Sequence, residues 1–177
     1  MVTMSKEKRV DLRPRRESDA DALFPTMSHA DSMRFSSRAP WTDVGELRKY
    51  FAPEDTSGWK CWAIVKAGKD EAIGFVAACE KRKGVSEIGY LVAREAQGHG
   101  YGREAVGLLI ERFFAEGQRR IVADVDPDNK PSIALLTALG FKLEGHLRAE
   151  WETHIGIRDS LIYGLLQGQE GWEEKRA

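Results

Sequence analysis

The segment with the most chemical content is Gln97-Gly98-His99-Gly100-Tyr101-Gly102. Glycines at alternate positions let the backbone turn sharply and leave its N–H groups uncovered. An apolar run precedes the segment and a helical pattern follows it, so the free N–H groups and positive dipole end of that helix point at the same spot. Together they make a pocket for an anion such as a pyrophosphate. Neither standard nucleotide motif fits: no Gly-Lys-Ser/Thr ending follows, and the Gly-x-Gly-x-Gly spacing misses the dinucleotide fingerprint. Other common chemistries lack their residues. Cys61 and Cys79 sit singly in apolar runs, as buried reduced thiols do, and His29, His99, His146 and His154 are scattered without metal-ligand spacing.

The elements that must position the glycine segment read as follows. Val10 to Arg13 alternates like a strand, and Ser18 followed by Asp21 resembles a capped helix start leading through Ala22, Leu23 and Phe24. Thr42 or Asp43 caps a second helix with Leu47, Tyr50 and Phe51 on one face. Trp59 to Val65, Ala72 to Cys79 and Ser86 to Val92 form an antiparallel meander. After the loop 94–102 comes a long helix whose apolar face is Ala105, Val106, Leu109, Ile110 and Phe113, with Glu104, Gly107 and Glu111 facing away and Gly117 as its stop. Arg120 to Asp126 is a strand. Asp128 or Asn129 caps a helix with Pro131 in its first turn, ending at Gly140. Two strands close the chain, one through Leu147, Ala149 and Trp151 and one from Leu161 to Leu166. This order predicts an α/β to α+β fold, with a mixed sheet and helices on its faces.

Residues around the loop carry a family resemblance. Gln97-x-x-Gly100-x-Gly102 resembles the (Gln/Arg)-x-x-Gly-x-(Gly/Ala) coenzyme A loop of the GCN5-related N-acetyltransferase (GNAT) superfamily. Glu87-Ile88-Gly89-Tyr90, Gly102-Arg103-Glu104-Ala105-Val106, Asn129-x-x-Ser132, Leu139-Gly140-Phe141 and Gly145-x-Leu147-Arg148 look like its RimJ/RimL branch. The resemblance spans about Val10 to Leu166. It implies the GNAT fold, a single mixed, mostly antiparallel twisted sheet with helices on both faces. It also implies acetyl-CoA as co-substrate with no metal, and direct attack of an amine on the thioester.

Residue by residue, the resemblance assigns the pyrophosphate to Gln97, Gly98, His99, Gly100, Tyr101 and Gly102, and cofactor binding also to Arg103. It assigns the pantetheine arm to the backbone of Leu91 and Val92, on a strand splayed from its neighbour, coenzyme contact to Ser132, and help in holding the coenzyme or the serine to Asn129. Many members of the wider superfamily place a tyrosine, as thiol donor, where Leu136 stands here. The branch points instead to Ser132, which is favoured over any tyrosine. An attacking amine must lose a proton, and Glu87, on the strand leading to the loop, is the first candidate base; a solvated strand face is its alternative role. His154 is a remote candidate base, and a solvated hairpin residue is its favoured alternative role. Asp159 reads as a turn former before a wall of the acceptor cleft. Trp41, Trp59, Trp62 and Trp151 fit either that wall or the core.

Bulk properties agree with this and exclude other classes. At 177 residues the chain suits one domain, expected over 8–168 with flexible tails at 1–7 and 169–177. A net charge of −1 lacks the basic excess that nucleic-acid binding needs. No apolar stretch approaches the roughly 20 residues of a membrane span, and the polar N-terminus lacks a signal-peptide core, so the expectation is a cytoplasmic protein without membrane contact. By resemblance, a homodimer is compatible with the chain. The acceptor stays open among a protein N-terminus, an amino acid, a polyamine and an antibiotic, and the segment 29–55, of mixed charge, is expected to shape its cleft. A non-catalytic acyl-CoA-binding sensor is the alternative function.

Overall fold

The computed structural model describes residues 8–52 and 58–169. The tails expected at 1–7 and 169–177, except Gln169, and the end of the expected cleft segment lie outside the described residues.

Among the described residues, seven strands form one sheet: β1 (Val10–Pro14), β2 (Trp59–Lys66), β3 (Ala72–Arg82), β4 (Val85–Val92), β5 (Arg120–Val125), β6 (Lys142–Thr153) and β7 (Gly156–Leu166), in the order β1-β2-β3-β4-β5-β7-β6. Neighbours run antiparallel except β4 and β5, which are parallel and joined by a helix, as a parallel crossover requires. Helices α1 (Asp19–Met27), α2 (Ala30–Met33) and α3 (Val44–Phe51) cover one face through Leu23, Met33, Leu47 and Phe51. On the other face lie α4 (Tyr101–Ala115) and α5 (Lys130–Ala138), whose Val106, Leu109, Ile110 and Leu136 meet Val76, Ile88, Ile121 and Ala123 of the sheet. The sheet is therefore mixed, mostly antiparallel and covered by helices on both faces, as expected.

Local chemistry accounts for several boundaries. Asp43 starts α3 by accepting the Glu46 N–H at 2.8 Å, and Asn129 starts α5 by accepting the Ser132 N–H at 3.3 Å. Ser18 does not cap α1. Its backbone is already helical and its hydroxyl makes no cap bond, because the N–H groups it would take, those of Ala20 and Asp21, go to the Glu17 and Ser18 carbonyls at 3.1 and 3.3 Å. The Asp19 carboxylate instead takes the Arg16 N–H at 2.8 Å and the Arg13 guanidinium at 2.6 Å. Gly107 does not face solvent. It is buried where α4 crosses α5, 3.9 Å (as a notional Cβ) from Leu139. The loop expected over 94–102 is shorter, since Arg94–Ala96 forms a 3-10 turn and α4 begins at Tyr101. The last hairpin is longer than expected at both its strands.

Candidate active site

β4 and β5 pair only over Val85–Ile88 and Arg120–Ala123. Beyond Ile88 the two strands part, while β4 stays bonded to β3 as far as Val92. The outer backbone edge of 89–92 therefore opens into a slot through the sheet, with Leu91 and Val92 on its rim. Two close approaches hold that rim. A Cβ on Gly74 would lie 2.4 Å from the Leu91 carbonyl oxygen, and one on Gly102 would lie 3.0 Å from the Val92 side chain. Only glycine lets β3 and α4 come so near.

The glycine segment caps one end of the slot. Gly98 and Gly100 have φ of 77° and 79°, left-handed values that side chains resist. Gly100 is the N-cap of α4 and supplies no side-chain cap. The first helical bond to return is from the Glu104 N–H to the Gly100 carbonyl, at 3.1 Å. The N–H groups of Tyr101, Gly102 and Arg103 thus precede the helical ladder and point out of the helix end. The Gln97 side chain turns inward, donating to the Val92 carbonyl at 3.0 Å, so it braces the loop against β4. The His99 Nδ1–H donates to the Gln97 carbonyl, 2.8 Å away, and the ring stacks on Tyr101 at 5.6 Å. Arg9 clasps the outside of the loop, donating to the His99 carbonyl at 3.0 Å and to the Glu104 carboxylate at 2.9 Å. With the His99 carbonyl turned to Arg9, the trans peptide sends the Gly100 N–H the opposite way. Sequence reading did not single out Arg9, because nothing local ties residue 9 to residue 99.

Ser132 lies in the first turn of α5 and Tyr90 on the parted stretch of β4, and their hydroxyls are 2.6 Å apart. Burial pushes the Tyr90 phenol up to about 12, with the Ser132 bond opposing that rise. Leu136, where a tyrosine stands in many of the wider superfamily, is fully buried in the core.

Ile88 and Tyr90 face the α4/α5 side, so the alternation of β4 puts Glu87 on the opposite face. There Glu87 pairs with Lys81 at 2.9 Å and raises the lysine's pKa, chiefly by their hydrogen bond. Asp124 of β5 lies beyond the last β4–β5 pair and alternates with buried Ala123 and Val125. It accepts from the indole of the exposed Trp151 at 2.9 Å and from the buried Ser160 hydroxyl. Next to it Arg158 binds Asp126 in a fork at 2.7 and 2.9 Å and reaches Asp128 at 2.5 Å. Asp159 holds the β6 bulge: it accepts the Ala149 N–H at 2.9 Å and contacts His146 at 2.7 Å. Of the tryptophans, Trp62 is core and packs edge-on against Phe113 at 6.0 Å, Trp41 packs against the core under α1–α3, and Trp151 is exposed on β6. His154 is exposed in the β6–β7 turn. Among the described residues no group of His, Cys, Asp and Glu could hold a metal ion, and no helix is long and apolar enough to cross a membrane.

Residues 9–142 match the family model described as an acetyltransferase (GNAT) domain. The chain is 32% identical over 166 residues to the uncharacterized N-acetyltransferase p20 of Bacillus licheniformis, covering 90% of this chain and 93% of that protein. In fold it is similar to spermidine N-acetyltransferase from Vibrio cholerae, solved with CoA and spermine (TM-score 0.79, 21% identity, 91% and 97% of the two chains). It is also similar to RimL, a ribosomal alpha-N-protein acetyltransferase solved with coenzyme A (TM-score 0.76, 22% identity, 90% and 95%).

Proposed function

The chain belongs to the GNAT acetyltransferase family, and from that membership we propose that it moves the acetyl group of acetyl-CoA onto an amine by direct attack on the thioester. The observation that carries this reading is the slot between β4 and β5 opening beside the uncapped start of α4. A strand edge with free amide groups suits the pantetheine arm, which is itself rich in amides, and a helix start behind a left-handed glycine turn suits a pyrophosphate. In this reading Gln97 to Arg103 hold the pyrophosphate through the backbone and Leu91 and Val92 the arm. A backbone N–H of that rim stabilises charge on the thioester oxygen.

The faces of the sheet divide the chemistry. Ser132 stands on the α5 side, where its hydroxyl can hold the departing sulfur, while Asn129 fixes the turn that carries it. Glu87 stands on the other face and takes the amine proton, directly or through water. The amine and the coenzyme then enter the slot from opposite sides. The loop, strand and serine patterns favour the RimJ/RimL-like branch, and the acceptors named for the two solved neighbours, a polyamine and a protein N-terminus, place primary amines first among acceptors to try.

The test is thiol release from acetyl-CoA with spermine, an N-terminal peptide, free amino acids and an aminoglycoside as acceptors. Acceptor-dependent release is expected with one of these. Coenzyme binding without release from any of them would favour the acyl-CoA sensor.

A further inference from the structure

We propose that Tyr90 is a positioning residue for acetyl transfer, which holds the Ser132 hydroxyl with its proton free for the leaving sulfur. This rests on the reading of Ser132 as the sulfur's donor. Two hydroxyls 2.6 Å apart share one hydrogen bond, and either can donate it. The phenol is the more acidic of the two, so it donates and the alcohol accepts. The serine proton is then left unused. A serine hydroxyl on the first turn of a helix would otherwise rotate among staggered positions, and the tyrosine selects one of them.

The surroundings make the tyrosine rigid. Its ring packs against the main core with Ile88 and Ala123, and its backbone is fixed by pairing with Val76 of β3. Its hydroxyl thus arrives at Ser132 from the parted stretch of β4. Donation into the serine oxygen also polarises the serine O–H and strengthens the bond that it makes next. When the C–S bond breaks, its electron pair remains on sulfur, where the Ser132 hydrogen bond stabilises it. The amine proton leaves on the Glu87 side of the sheet. Tyr90 and Ser132 both keep their protons, consistent with a phenol pushed up to about 12.

A double-mutant cycle tests this, with the full chain and whichever acceptor of the panel gives turnover. Tyr90→Phe keeps the ring and removes the donor. It should lower kcat by about fivefold to tenfold, the usual worth of one hydrogen bond, while KM for acetyl-CoA and the thermal protection given by CoA stay unchanged. In a Ser132→Ala background the same substitution should cost nothing further. An equal loss in both backgrounds, or no loss in either, would overturn the proposal while leaving Ser132 in place. If Ser132→Ala itself leaves kcat unchanged, or if no acceptor supports turnover, the role of Ser132 falls and that of Tyr90 falls with it. Should Tyr90→Phe fail to fold, the Ser132→Ala variant supplies a second reading. There the tyrosinate absorbance change above pH 10 should differ from wild type, and identical titrations would overturn the pairing.

Discussion

Glu87 and Ser132 make separable predictions because they stand on opposite faces of the sheet. Glu87→Gln removes a base without removing bulk, so kcat should fall by about a hundredfold or more while CoA protection persists; an unchanged kcat across the pH range would leave the amine proton to another group. Ser132→Ala should lower kcat by about tenfold with little effect on coenzyme binding, read by steady-state kinetics and a melting shift. Away from the slot, Asp126 reports on stability. The Arg158 hydrogen bond, more than any other influence, holds its carboxyl below the ordinary 3.8. A depressed folded-state value stabilises the fold above the unfolded value and ceases to do so as pH falls through the folded one. Asp126→Asn should therefore lower Tm at neutral pH, and the difference should shrink as pH falls below the ordinary 3.8 and through the folded-state value. At this scale the sequence made the glycine loop, Asn129 and Ser132 legible, because each is a residue type at a local spacing. Arg9, Tyr90 as a partner of Ser132, and the Asp124–Trp151 contact depend on separations of 90, 42 and 27 residues, which no local pattern encodes.

Among the elements, β4 is the one on which the site depends, and Gly74 sets its position. A methyl group there meets the Leu91 carbonyl and the Val92 backbone, neither of which yields without moving the rim of the slot. Gly74→Ala should cost about 1–3 kcal/mol of stability and weaken CoA binding by more than an equally destabilising change elsewhere in the core. Calorimetric titration beside a thermal melt separates the two effects. The meander, α4, β5 and α5 were legible because their periodicity is long and their ends carry glycine or a capping residue. α2 has four residues, too few for a helical period to show. β6 was only half legible, because its pairing slips at Leu143/Gly145 and again at Leu147/Trp151, and each slip breaks the alternation that marks a strand. Gly107 read as solvent-facing because glycine carries no side chain from which to judge a face.

For the whole molecule, ligand binding and folding are one equilibrium. CoA at a hundredfold its dissociation constant should add about 2.7 kcal/mol of stability, seen as a raised Tm, whereas ATP with Mg²⁺ at the same concentration should leave Tm unchanged. Equal protection by both would argue for a site selective only for phosphate. The fold class was legible from element order alone. The strand order was not, since whether β7 goes beside β5 or outside β6 depends on pairing energies that sequence patterns do not rank.

That placement bears on how the protein is made. β5 leaves the ribosome well before β7, its antiparallel neighbour, and β6, made between them, bonds to β7 rather than to β5. Until the last strand emerges, the nascent chain carries an unpaired β5 edge and a hairpin half complete, both open to association with other chains. A chaperone that shields strand edges during synthesis would therefore have its longest task at this end of the polypeptide, and a premature stop before Leu166 would leave an aggregation-prone fragment in place of a shortened enzyme.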